Sequence, residues 1–352
     1  MRARALVALL LVAAACGSQP GPATPTPTPT KQTPASPPPM SLDEEIGAVM
    51  MVGFRGALTD AVVADFQAHQ YGGLLIVNLN RNATTDDGLS STIARLRAPS
   101  RHRLLAATDQ EGGQVCLAAA SVPCAPMPVG QASTTQMATA LKGLGFDVDL
   151  GPVSDVCSDS SSVMWGRCYG TDPASVASSI GPVVDGIHAA GMLSASKHFP
   201  GHGATSVSSE MTLPRIDEDI PTLRARDWLP FQAAIQHETD FVLIGHLFYP
   251  AIDAHRSADL SPNTYNFLRG DLKFHGAILS DDMEMGAITS STPTPEAAVQ
   301  FLAAGGDMVM VAHDLSVADA TYEAIKSAVE SGRLPRQRLD DAVAALTQLS
   351  KS

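Results

Sequence analysis

Lys197-His198-Phe199-Pro200-Gly201-His202-Gly203 follows the apolar run Met192-Leu193-Ser194-Ala195-Ser196. A short apolar run bounded by a turn signal reads as a strand buried on both faces, as in a parallel sheet. The string then places a basic and a titratable side chain at the carboxyl end of that strand, ahead of a Pro-Gly turn and a loop of small residues. In an α/β barrel that end is where active sites are assembled. An isolated Lys-His pair would read as a strand cap, but the seven-residue string is far more specific.

Working outward, similar runs recur with helical stretches between them. The candidate strands are 48–54, 73–77, 104–108, 148–150, 192–196, 241–244, 277–280 and 308–311. Most are apolar on both faces, as expected when helices cover a parallel sheet outside and side chains fill it inside. Gly72-Gly73 and Gly305-Gly306 precede the second and eighth runs, where a helix has to stop and turn. A closing helix over 340–349 carries Leu339, Val343, Leu346 and Leu349 on one stripe. Eight βα units predict a TIM (β/α)8 barrel as a single catalytic domain of the α/β class. The alternative is an open doubly wound sheet, against which counts the lack of a glycine-rich phosphate loop after the first strand.

The barrel reading gathers sequence-distant polar residues around one mouth. Asp109 ends the third strand, Lys197 and His198 the fifth, His246 the sixth, and Asp281 with Asp282 the seventh. Any one alone would read as a cap or a salt-bridge partner. A ring of them facing one cleft costs stability unless the groups are paired or used.

The string, together with Ser280-Asp281-Asp282-Met283-Glu284-Met285-Gly286-Ala287, resembles glycoside hydrolase family 3. The resemblance is closest to its single-domain bacterial β-N-acetylglucosaminidases of peptidoglycan turnover. Asp109-Gln110-Glu111-Gly112-Gly113, Gly151-Pro152-Val153-Ser154-Asp155-Val156 and Gly166-Arg167-Cys168-Tyr169-Gly170-Thr171-Asp172-Pro173 extend it, in the family's order, over about residues 41 to 350. It implies Asp281 as the nucleophile. It implies substrate-binding roles for Asp109, Arg167, Lys197 and His198, the cations also keeping the nucleophile ionised. Asp282, adjacent to Asp281, is expected to sit behind it, since neighbouring strand residues diverge.

Two loops depart from the family pattern. Its acid/base stretch Asp-Ser-His is Ser208-Ser209-Glu210 here, and its Gly-Gly-Arg-Val-x-Arg is Gly112-Gly113-Gln114-Val115-Cys116-Leu117. At least one expected substrate-binding arginine is therefore replaced. Either Glu210 takes over as general acid/base, a mobile loop bringing it within about 5.5 Å of Asp281 for a retaining mechanism, or the loop has decayed and the barrel binds glycans without cutting them. A carboxylate at 210 repels phosphate, so water is the expected acceptor. The expected activity is removal of terminal β-N-acetylglucosamine, a step of carbohydrate metabolism on cell-wall glycans. A β-glucosidase of the wider family fits less well, as no second domain is present. No metal or organic cofactor is implied.

The amino-terminal residues read as targeting. Arg2 and Arg4 precede the apolar run Ala5–Ala15, and Ala13-Ala14-Ala15 leads to Cys16. That is a secretory signal peptide over 1–15, with Cys16 resembling the lipidated residue of a bacterial lipoprotein. Ala13 stands where a lipobox usually has Leu, and an ordinary cleaved signal is the alternative. The run is short of the ~20 residues a spanning helix needs. Residues 16–40, rich in Pro and Thr, read as a semi-rigid spacer of ~3 Å per residue, leaving 41–352 as the barrel domain. An exported, lipid-anchored monomer on the extracytoplasmic face of the cell membrane is expected. The net charge of −13 argues against nucleic acid and against electrostatic attachment to anionic lipid. Five cysteines become four once Cys16 is set aside. Two short bridges, Cys116 with Cys124 and Cys157 with Cys168, are the first choice among three connectivities, free thiols being the alternative. No Cys or His spacing resembles a zinc site.

Overall fold

The computed structural model describes residues 40–83 and 85–349. The signal peptide, Cys16 and all but the last residue of the Pro/Thr-rich spacer lie outside the described residues. Eight parallel strands close a barrel in sequence order: β1 (Met50–Val52), β2 (Gly73–Leu75), β3 (Leu105–Thr108), β4 (Val148–Asp149), β5 (Leu193–Phe199), β6 (Phe241–Ile244), β7 (Ala277–Asp282) and β8 (Met308–Val311). β1 pairs with both β2 and β8, so no sheet edge is left open. The open doubly wound alternative is thereby excluded.

Period-two alternation sorts each strand's side chains into two cores. Met51, Leu75, Leu105, Ala107, Leu193, Ala195, Phe241, Leu243, Ala277, Leu279, Met308 and Met310 pack together inside the barrel, closed at one end by Leu349. Val52, Leu74, Ala106, Val242, Ile244, Ile278 and Val309 face outward and pack against helix residues such as Phe66, Ile93, Met137, Phe231 and Phe301. Burial of this kind stabilises by roughly 25 cal/mol per Å² of apolar surface removed from water.

Side-chain caps fix several helix starts. Thr59, Thr85, Asp172, Asp219 and Asp314 each accept a hydrogen bond from a backbone N–H in the first turn of the helix they precede. The Asp172-Pro173 pair thus has a structural use, since Asp172 caps the helix Pro173–Ala189 and proline occupies its first turn. The closing helix is longer than its stripe suggests, spanning Arg336–Leu349. Among the described residues, no helix is long and apolar enough to cross a membrane.

β5 and β7 run further than their apolar runs. β5 continues through Lys197 and His198 to Phe199, with an irregular register against β6, and β7 continues through Asp281 to Asp282. The polar residues therefore belong to the strands rather than to the loops that follow.

Candidate active site

The strand period positions the site. Asp109 stands two residues beyond inward-facing Ala107, Lys197 two beyond Ala195, and Asp281 two beyond Leu279. Each thus continues an inward series past the last apolar layer, and all three line one cavity of about 290 Å³ with Arg167, His198, Glu210 and Glu111. A larger hollow of about 800 Å³ lies among Arg103, Met192, Asp240 and Gly276, at the amino ends of the strands, away from these groups.

Lys197 is nearly sealed from solvent, and carboxylates make its burial tolerable. Its ammonium lies 2.5 Å from Asp109 Oδ1 and 2.7 Å from Glu111 Oε1. Arg167 binds the same Glu111 carboxylate with two donors, Nε at 2.8 Å and Nη2 at 2.7 Å. Burial alone would raise the Glu111 carboxyl, but Lys197 and Arg167 outweigh it and hold it down at about 2. Glu111 thus fastens both cations to the wall of the cleft. It was not singled out from the sequence, although it follows Asp109 at the same two-residue period.

A second buried carboxylate holds His198 of the fifth strand. His198 Nδ1 lies 2.8 Å from the fully buried Asp155 Oδ2, and the Asp155 carboxylate also accepts from the His202 backbone N–H at 2.6 Å. Burial, and then the neighbouring His198, push His202 down to about 4, so it is neutral. Its Nε2 lies 3.0 Å from Ser209 Oγ.

Asp281 is the carboxylate these charges act upon. Burial would raise its pKa, but His198, His246, the Asp282 backbone N–H and Lys197 together bring it below its ordinary value. That amide donates to Asp281 Oδ1 at 2.9 Å. His246 is itself buried, which disfavours its charge. Asp259, whose Oδ2 lies 3.1 Å from His246 Nδ1, and then Asp281 reverse that effect and raise it to about 9. An imidazolium therefore stands behind Asp281 at neutral pH.

Asp282 also borders the cleft, contrary to its expected place behind Asp281. Its Oδ1 accepts from the Glu284 and Ala312 backbone N–H groups, while Oδ2 lies 3.4 Å from His313 Nε2. Burial raises this carboxyl to about 7, opposite in direction to Asp281.

Glu210 borders the cleft, and its carboxyl group makes no hydrogen bond or ion pair among the described residues. The residue keeps solvent contact, and partial desolvation at the cleft and then Asp281 raise its pKa above the usual glutamate value, Arg167 opposing. Its loop is tied down by backbone hydrogen bonds. Glu210 O accepts from Gly286 N at 2.9 Å, and Ser209 O from Ala287 N at 3.0 Å, fastening the loop to the segment after β7. A Cβ on Gly286 would meet Met211 O at 2.4 Å and Glu210 O at 2.8 Å, so this approach requires glycine.

Two disulfides staple loops at the same mouth. Cys116 bridges Cys124 in the loop after β3, and Cys157 bridges Cys168 in the loop after β4 that carries Arg167. The segment Gln114–Leu117, where the family pattern has arginines, is thus held by a covalent link and by the Asn78 side chain, which donates to Cys116 O at 2.7 Å.

An ionised carboxylate ringed by cations and a second carboxyl group whose pKa its surroundings raise, both lining one cavity at the barrel mouth, are the chemistry of glycoside hydrolysis. Comparison with known proteins gives the same class. Residues 41–349 match the glycosyl hydrolase family 3 N terminal domain, and the chain belongs to that family, as a glycosidase. A β-hexosaminidase of Pseudomonas aeruginosa is 32% identical over 283 residues, 76% of this chain and 84% of that protein. Among solved structures, a family 3 β-N-acetylglucosaminidase from Paenibacillus sp. str. FPU-7 superposes with a TM-score of 0.85 at 29% identity, covering 89% of this chain. The match spans 62% of that longer protein. A β-N-acetylhexosaminidase from Beutenbergia cavernae superposes with a TM-score of 0.82 at 25% identity, over 89% of this chain and 99% of that one.

Proposed function

We propose that the protein is a β-N-acetylhexosaminidase that removes terminal β-N-acetylglucosamine from cell-wall, peptidoglycan-derived glycans with retention of configuration. The observation that carries this reading is the divergence of Asp281 and Glu210 within one cleft: the first is lowered and the second raised in pKa. Asp281 attacks the anomeric carbon while Glu210 protonates the departing oxygen. Glu210 then takes a proton from water, which displaces Asp281 and releases the sugar with its original configuration. Lys197, Asp109 and Arg167 hold sugar hydroxyls, and His198 and His246 keep Asp281 ionised. The relatives' names support the amino-sugar substrate. A non-catalytic glycan binder would instead suit a Glu210 locked in an outward salt bridge, and the unpaired carboxyl at the cleft favours catalysis.

The amino-terminal sequence supports export and anchoring through lipid on Cys16, with the Pro/Thr-rich segment as a tether and the enzyme acting as a monomer. Proton NMR of the first-formed product tests the mechanism. Initial appearance of the β-anomer is expected from a β-glycoside, and initial appearance of the α-anomer would replace retention by inversion.

A further inference from the structure

Four large apolar side chains are exposed among the described residues: Leu79 at 65%, Trp165 at 48%, Val207 at 39% and Met211 at 78%. Single exposed hydrophobic residues scattered over a surface need no explanation. These are not scattered. Leu79 lies in the turn after β2, Trp165 in the loop after β4, and Val207 and Met211 in the loop after β5 that carries Glu210. All four therefore stand on the rim of the mouth that holds Asp281. Leu79 lines the cleft itself, Trp165 sits between the lining residues Met164 and Arg167, and Met211 follows Glu210.

The indole is carried on a braced platform. The Cys157–Cys168 bridge closes its loop, Trp165 N donates to Ser162 O at 3.0 Å, and the Gln114 side chain donates to Trp165 O at 3.4 Å. With its backbone fixed this way, the residue has only side-chain freedom left to lose on binding. A pyranose suits it, because the ring's C–H groups gather on one face while its hydroxyls point outward from the edge. The cavity of about 290 Å³ is at the small end of ligand pockets, about 300–1,000 Å³. Any second ring of a glycan must therefore lie over the rim.

We propose that Trp165, with Leu79 and Met211, forms a subsite for the sugar ring on the leaving-group side of the scissile bond. The leaving group is the assigned occupant because Met211 adjoins Glu210, which in the reading above protonates the departing oxygen. The proposal rests on that reading and makes the enzyme selective for glycans over simple glycosides.

The chain's two tryptophans make a direct test, since Trp228 is fully buried and Trp165 is the exposed one. Acrylamide quenching of fluorescence thus reports on Trp165. In Asp281→Asn, which prevents turnover, a β-linked disaccharide of N-acetylglucosamine is expected to shield the indole, whereas the monosaccharide is not. Trp165→Ala should weaken disaccharide binding about 3- to 10-fold and leave monosaccharide binding unchanged, in line with one aromatic contact. Disaccharide binding with unchanged quenching would overturn the subsite alone. Binding of neither sugar, by calorimetry, would overturn the amino-sugar reading and the subsite with it. Shielding that grows with protein concentration in the absence of sugar would mark the rim as a self-association face and also overturn the proposal.

Discussion

Glu210, in the loop after β5, and Asp281, near the end of β7, line one cleft, and their surroundings move their pKa values in opposite directions. Asp281 is held below its ordinary 3.8 and Glu210 above its ordinary 4.5. The working form has Asp281 ionised and Glu210 protonated. Activity should rise with pH as Asp281 loses its proton, on a limb below 3.8, and fall as Glu210 loses its own, on a limb above 4.5. A pH–rate profile checks this, and Glu210→Gln should erase the alkaline limb while leaving the acid limb in place. An alkaline limb unchanged in Glu210→Gln would assign it to another group.

Removing the acid should hurt most where the leaving group needs a proton. Glu210→Gln is expected to slow hydrolysis of an unactivated disaccharide by about 10²–10⁴-fold, and that of an activated aryl glycoside far less. Paired kinetics on the two substrates read the difference. An equal loss on both would mean that Glu210 only binds.

Gly286→Ala should act on the same residue from a distance. The added methyl would meet Met211 O and Glu210 O at 2.4 and 2.8 Å, forcing the loop away. Disaccharide turnover is expected to fall at least about tenfold, with Asp281-dependent hydrolysis of an activated glycoside less affected. Thermal melting and kinetics on both substrates separate a displaced loop from an unfolded one.

The buried His246–Asp259 pair predicts a pH-dependent contribution to stability. The folded-state pKa of His246 lies near 9, above its ordinary 6.5. Its contribution is therefore fully present below pH 6.5 and is lost as pH rises through about 9. Melting temperatures of the wild type and of His246→Gln combined with Asp259→Asn should differ most below pH 6.5 and converge toward pH 9. A difference that widens with pH would reverse the sign assigned here.

The bridge between Cys157 and Cys168 closes a short loop, and such links stabilise by about 2–4 kcal/mol. Replacing both cysteines by serine should lower the melting temperature and raise KM for the sugar more than it lowers kcat, because Arg167 is adjacent to the bridge. Calorimetry and steady-state kinetics test the two effects separately.

Much of the barrel was legible because parallel strands buried on both faces are continuous apolar runs. What the runs missed are the strand ends. Lys197 and Asp281 are polar, so the apolar signal stops before them, yet the backbone continues because each turns inward and finds a partner. The period of two carries this information: Ala107 to Asp109 to Glu111, Ala195 to Lys197, Leu279 to Asp281. Glu111 escaped notice for want of that count. Asp155 and Asp259 escaped because their pairings follow no sequence period: Asp155 meets His198 from the loop after β4, and Asp259 meets His246 within the long connection between β6 and β7. The fastening of the Glu210 loop to Gly286 is likewise a contact between distant segments, and nothing local in Ser208-Ser209-Glu210 announces it.

The most direct test of glycosidase action through Asp281 and Glu210 is nitrophenol release from an aryl β-N-acetylglucosaminide by the purified protein. Wild-type turnover is expected, with a loss of at least about 10³-fold in Asp281→Asn, as for removal of an enzyme nucleophile, and a smaller loss in Glu210→Gln. An activated phenol needs little protonation to leave, so even a weakened acid should still permit turnover. Wild-type silence, or activity that survives Asp281→Asn, would contradict the proposed mechanism.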